Sequence, residues 1–151
     1  MKRPHGATSL LSLLLPLLAC NSDVPVAASV DLPSKKMRLT ITRVATHPFL
    51  ARYNLRLTVN GPGDCFAEAT LFPDTGHVSR RNLYVTPTGL LYVVGQFDAR
   101  VVDGARCSIT LAEFRHLDRD VTFLGTFDDQ EQGQWTFVPA AQRRELPFEK
   151  L

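Results

Sequence analysis

Residues 52–60 read RYNLRLTVN, and the stretch alternates without a fault. Tyr53, Leu55, Leu57 and Val59 are apolar, and Arg52, Asn54, Arg56, Thr58 and Asn60 between them are polar. Successive side chains of a strand point to opposite faces, so this period of two describes a strand with one face in a core and one in water. Upstream, Met37, Leu39 and Ile41 repeat the pattern, with Arg38, Thr40 and Thr42 opposite. Further strand candidates are residues 65–72, 83–86, 90–102, 107–114, 121–127 and 134–138. Turn chemistry separates them at residues 60–64 (NGPGD), 73–76 (PDTG), 87–89 (PTG), 103–104 (DG) and 130–133 (QEQG). Glycine supplies positive φ and proline presets φ, which gives each of these turns a mechanism.

Strands roughly every ten residues, with no long amphipathic helix between them, predict an all-β fold. The expected form is an antiparallel β-sandwich of immunoglobulin-like or transthyretin-like architecture over residues 37–138. The Cys–Trp–Cys arrangement of true immunoglobulin domains is absent, because the single tryptophan, Trp135, follows both Cys65 and Cys107. The tail, residues 139–151, has room for a short helix over 140–145, stopped near Pro147.

The chain opens with the positive charges of Lys2 and Arg3, followed by an uncharged, Leu-rich run over residues 7–19 that ends at Cys20. A charged start, a short apolar stretch and a small residue before a cut are the layout of a secretory signal. The run is too short to span a bilayer, and Pro16 interrupts it. Residues 17–20, Leu-Leu-Ala-Cys, resemble the lipobox of bacterial lipoproteins. Ala19 and Leu17 match that motif, whereas Leu18 is bulkier than is usual at its position. The resemblance implies cleavage after residue 19, a diacylglyceryl group on the Cys20 sulfur, and anchoring in the cell envelope. Asn21 is not the aspartate that signals inner-membrane retention in enterobacterial lipoproteins, so outer-membrane placement is the expectation. Residues 20–36, with two prolines and small side chains, read as the lipidated cysteine and a flexible tether.

Seventeen Lys plus Arg stand against fifteen Asp plus Glu, but Lys2 and Arg3 leave with the signal, so fifteen of each remain. Nucleic-acid binding, which needs a concentrated basic footprint, loses its support. With Cys20 taken by lipid, Cys65 and Cys107 are an even pair in an exported chain and predict a disulfide. Each falls on an apolar strand phase (Cys65, Ala67, Ala69, Leu71; Cys107, Ile109, Leu111), which would bring two inward cysteines together.

No phosphate loop, nucleophile elbow or metalloprotease helix is present, and His47, His77 and His116 lie far apart. Asp128, Asp129 and Glu131 gather at an expected hairpin tip, with Asp118 and Asp120 before the same strand, but their spacing matches no calcium loop. No enzyme activity, cofactor or metal is expected.

Residues 90–94, LLYVV, carry more information. Alternation puts Leu91, Val93, Phe97, Ala99 and Val101 inside and leaves Leu90, Tyr92 and Val94 on the other face, beside the out-of-phase Phe66 and Phe72. Either the tail (Leu146, Phe148, Leu151) covers that face, or it is an apolar patch, a common mark of protein binding. The five residues are the candidate binding site. The layout, a β-sandwich on a lipid tether, is similar to that of adaptor lipoproteins of secretion machines, including the type VI outer-membrane component. Periplasmic inhibitors and immunity proteins belong to the same class. The expected function is therefore non-enzymatic binding of an envelope protein. The alternative is a carbohydrate- or anion-binding module, with Arg52 and Arg56 on one polar strand face and Arg38 on a neighbouring one to hold anions.

Overall fold

The structure, a computed structural model, describes residues 24–76, 79–129 and 133–148. The signal segment, Cys20, His77, Glu131 and Leu151 lie outside the described residues. The fold is an antiparallel β-sandwich. Its first sheet runs in chain order: β1 (Val26–Leu32), β2 (Met37–Ala45), β3 (Tyr53–Asn60) and β4 (Phe66–Thr70). The second sheet contains β5 (Arg81–Val85), β6 (Leu91–Val94), β7 (Ala99–Asp103), β8 (Ser108–Ala112), β9 (Thr122–Asp129) and β10 (Trp135–Pro139). Its spatial order is β10-β9-β5-β6-β7-β8. At the two seams of the sandwich, β1 lies against β10 and β4 against β8.

The alternating stretch forms β3, with Ile41 opposite Leu57 and Leu39 opposite Val59. These four join Leu83, Leu91, Val93, Val102 and Phe127 of the facing sheet, all at most 1% exposed, in one core. Burying each such side chain contributes roughly 1.5–3 kcal/mol. A bulge in the β5–β9 pairing, between Leu83 and Tyr84, is made possible by Gly125, whose φ is +149°. A Cβ there would lie 2.5 Å from the Val138 carbonyl oxygen and 2.6 Å from the Phe137 ring, so glycine lets β10 close in.

Several boundaries differ from the sequence reading. Residues 26–32, expected to be tether, form edge strand β1, which pairs with β2 along its whole length. Ala28 is buried, and Val30 and Leu32 pack on the core, so the sandwich begins before residue 37. Residues 90–102 form two strands rather than one, joined by a four-residue turn whose Gly95 N–H donates to the Asp98 carbonyl at 2.8 Å. That turn passes the inward phase from odd to even positions. Leu91 pairs with Val102 and Val93 with Arg100 on the inner side, while Val101 and Ala99 stand on the outer side beside Tyr92 and Val94, Ala99 nonetheless fully buried. The tail makes turns at residues 140–142 and then runs without a helix to residue 148.

The disulfide between Cys65 and Cys107 is present, with Cα atoms 5.6 Å apart. Neither cysteine sits within a strand. Cys65 immediately precedes β4, and Cys107 takes a left-handed conformation (φ 51°) at the end of the β7–β8 turn. The bond therefore joins the two sheets at one end of the sandwich, the end that also holds the Pro33–Lys35 turn and residues 86–90.

Candidate functional site

On the outer face of the six-stranded sheet lies an open groove of about 490 Å³. Its floor is Tyr84, Tyr92 and Val94, its walls are Leu117, Asp118, Arg119 and Val121 from the β8–β9 loop, and Glu145 of the tail closes one side. Strand alternation turns Tyr84 and Tyr92 outward as directly opposed partners on β5 and β6. The Tyr92 hydroxyl donates to Asp118 Oδ2 at 2.9 Å. The Tyr84 hydroxyl donates to Glu145 Oε1 at 2.7 Å and accepts from Asn82 Nδ2 at 3.0 Å. Burial raises the pKa of both phenols, and the bonds to Glu145 and Asp118 add to the rise. Asn82 Nδ2 also donates to the Leu146 carbonyl at 3.1 Å, and Arg80 stacks 4.6 Å from the Phe148 ring centroid, so the tail is strapped across β5.

The structure corrects the grouping of the five candidate residues. Tyr92 and Val94 share the groove, but Tyr92 is only 5% exposed, with its hydroxyl bonded to Asp118 of the β8–β9 loop. Leu90 lies at the disulfide end, lining a separate cavity of about 320 Å³ with Lys35 and Met37. Phe66 projects from β4 of the other sheet, 60% exposed. Phe72 lies at the end away from the disulfide, where its N–H donates to Asp98 at 3.0 Å and Arg100 reaches over its ring. Facing strands and opposite ends of the sandwich separate these three from Tyr92.

The arginines proposed for anions are engaged or dispersed. Arg38 makes a bidentate pair with Asp31 directly across the β1–β2 ladder, at 2.6 and 2.8 Å, which lowers the Asp31 pKa. Arg56 lies 3.4 Å from Glu68, and Arg52 is exposed just ahead of β3. The interior holds arginines that sequence reasoning passed over. Arg43 follows Ile41 on the inward phase of β2 and is enclosed between the rings of Tyr53 (4.5 Å) and Trp135 (4.9 Å). Its guanidinium donates to Asp129 at 2.7 Å. Arg81 and Arg100 flank the buried Asp98 at 3.4 and 3.6 Å. Burial lowers the Arg81 pKa, and Asp98 and Asp74 act against that fall. Gly95 leaves room for this guanidinium, which a Cβ would meet at 2.6 Å. These contacts lock the end of the sandwich opposite the disulfide.

Among the described residues no group of three or more His, Cys, Asp or Glu is placed to hold a metal, and no helix is long and apolar enough to cross a membrane. No family model matches the chain, and neither a curated protein nor a solved structure matches it.

Proposed function

We propose that this chain is a lipid-anchored protein of the bacterial envelope, attached through Cys20, whose β-sandwich binds another protein through the Tyr84–Tyr92 groove without catalysis. The observation that carries the reading is the state of the groove floor. Both phenol hydroxyls are already bonded within the chain, so the groove offers the partly exposed ring of Tyr84 and the apolar surface of Val94, Leu117 and Val121. Aromatic and apolar surface with a charged rim, here Arg119, Asp118 and Glu145, is the composition of a protein-binding hot spot. The resemblance of residues 17–20 to a lipobox supports the anchor, and Asn21 supports outer-membrane placement. A second reading, carbohydrate binding, is favoured by the partly exposed Tyr84 ring beside the Asp118 and Glu145 carboxylates.

Co-purification of the tagged lipoprotein from detergent-solubilised membranes tests the proposal. A protein recovered in stoichiometric amount with the native chain, and lost with Arg119→Glu or Val121→Asp, is the expected result. Glycan binding by the native chain with no protein recovered would favour the carbohydrate reading instead.

A further inference from the structure

We infer that the end of the sandwich opposite the disulfide seats in the lipid interface of the membrane, with Phe49 and Leu50 as its inserting tip. The orientation rests on the anchor at Cys20. The register of β1 sets Val26 opposite Arg43 and Leu32 opposite Met37, so β1 enters the sheet at the end where β2 leaves it for residues 46–52. Five residues, and so six Cα-to-Cα steps, separate Cys20 from Val26. In any conformation they span at most about 21 Å, so a lipid on Cys20 holds this end, rather than the disulfide end, toward the bilayer.

The residues presented there suit an interface. Phe49 is 90% exposed at the tip of the β2–β3 connection, and Leu50 beside it is also exposed. The tip is built to hold them out. His47 Nδ1 accepts from the N–H groups of both Phe49 and Leu50 at 3.1 Å, and Thr46 N–H donates to the Arg52 carbonyl at 2.9 Å. Val24, Phe72, Phe97 and Phe114 are exposed at the same end, whereas among the described residues Phe66 is the large exposed apolar side chain at the disulfide end.

Charge agrees. The described carboxylates at this end have partners within the chain: Asp98 with Arg81 and Arg100, Asp129 with Arg43, Asp128 with Arg143, Asp74 with Ser79, and Glu113 in an exposed pair with Arg115. Exposed Arg52 adds positive charge beside the tip, where anionic headgroups attract it.

The test uses the purified mature lipoprotein in vesicles of phosphatidylethanolamine and phosphatidylglycerol with brominated acyl chains. Two variants each add one tryptophan at an exposed site, Phe49→Trp and Phe66→Trp, and buried Trp135 supplies a background that the native protein measures. Emission from the indole added by Phe49→Trp should shift to the blue and be quenched several-fold more strongly than that from the indole added by Phe66→Trp. Equal quenching of the two would overturn the inference. So would a blue shift in the Phe49→Trp variant without bromine quenching, because protein would then cover the tip. The intact mass of the same preparation reports acylation separately. An unacylated Phe49→Trp chain whose added indole is still quenched by vesicles removes the anchor and leaves the seating in place.

Discussion

The phenol of Tyr92 donates to the carboxylate of Asp118 at 2.9 Å and so ties the floor of the groove to the loop that walls it. Tyr92 is thereby a structural member of the site and not its exposed face. Tyr92→Asp places a second carboxylate beside Asp118 in a buried position, which should cost at least about 2 kcal/mol and lower the melting temperature by about ten degrees. Tyr92→Phe, which loses only the hydrogen bond, should cost about 1 kcal/mol. Thermal melts of the two variants check the order. A Tyr92→Asp melt equal to that of the native protein would mean the ring is solvated.

Arg43 offers a second check, on the end of the sandwich away from the disulfide. Arg43→Ala removes a cation enclosed by two rings and leaves the Asp129 carboxylate without its partner, so a loss of about 2 kcal/mol is expected. The figure is kept below that of a fully buried pair because the Asp129 side chain is 39% exposed. Asp129→Asn, which leaves the guanidinium stacked between Tyr53 and Trp135, should cost less in urea unfolding.

How much of this was legible in the sequence depended on where the contacts lie. β2 and β3 were readable because a period of two runs unbroken through each. β1 carries the same alternation in Val26, Ala28, Val30 and Leu32, but Pro25 and Pro33 bracket it and its side chains are small, so it reads as tether. The turn at residues 95–98 has a single glycine and no proline or Asn-Gly pair, and missing it reversed the phase of β7. Arg43 stands on the inward phase of β2, a visible signal, yet the rings of Tyr53 and Trp135 that make a charge tolerable there lie on other strands. The groove is assembled from β5, β6, the β8–β9 loop and the tail. Of these, only the outward tyrosine and valine of β6 show in a local pattern.

The disulfide closes a separation of 42 residues, which in the chain-entropy model corresponds to about 4 kcal/mol at most. Labelling of the denatured, unreduced mature protein should find no free thiol at Cys65 or Cys107. Cys65→Ala with Cys107→Ala should lower the urea midpoint substantially and loosen the β4–β8 seam.

Tyr84 predicts a dependence on alkaline pH. Its pKa is raised by burial and by the bond to Glu145, so the native chain holds the phenol proton more tightly than the unfolded chain does. The stability this confers is present below the ordinary tyrosine value of about 10 and falls as pH rises above it, because the unfolded state releases the proton first. Tyr84→Phe should make the loss of stability between pH 9 and pH 11 (roughly the span over which free tyrosine ionises) less steep. An unchanged slope in urea titrations at those pH values would count against the raised pKa.

The most direct measurement of the account places a photo-reactive amino acid in the groove of the protein in living cells. With the probe at Val94 or Arg119, irradiation should give one discrete protein adduct, and with the probe at Phe66 on the other sheet it should give none. Adducts of equal yield from both faces, or none from the groove while the protein remains folded and anchored, would contradict protein binding at this site.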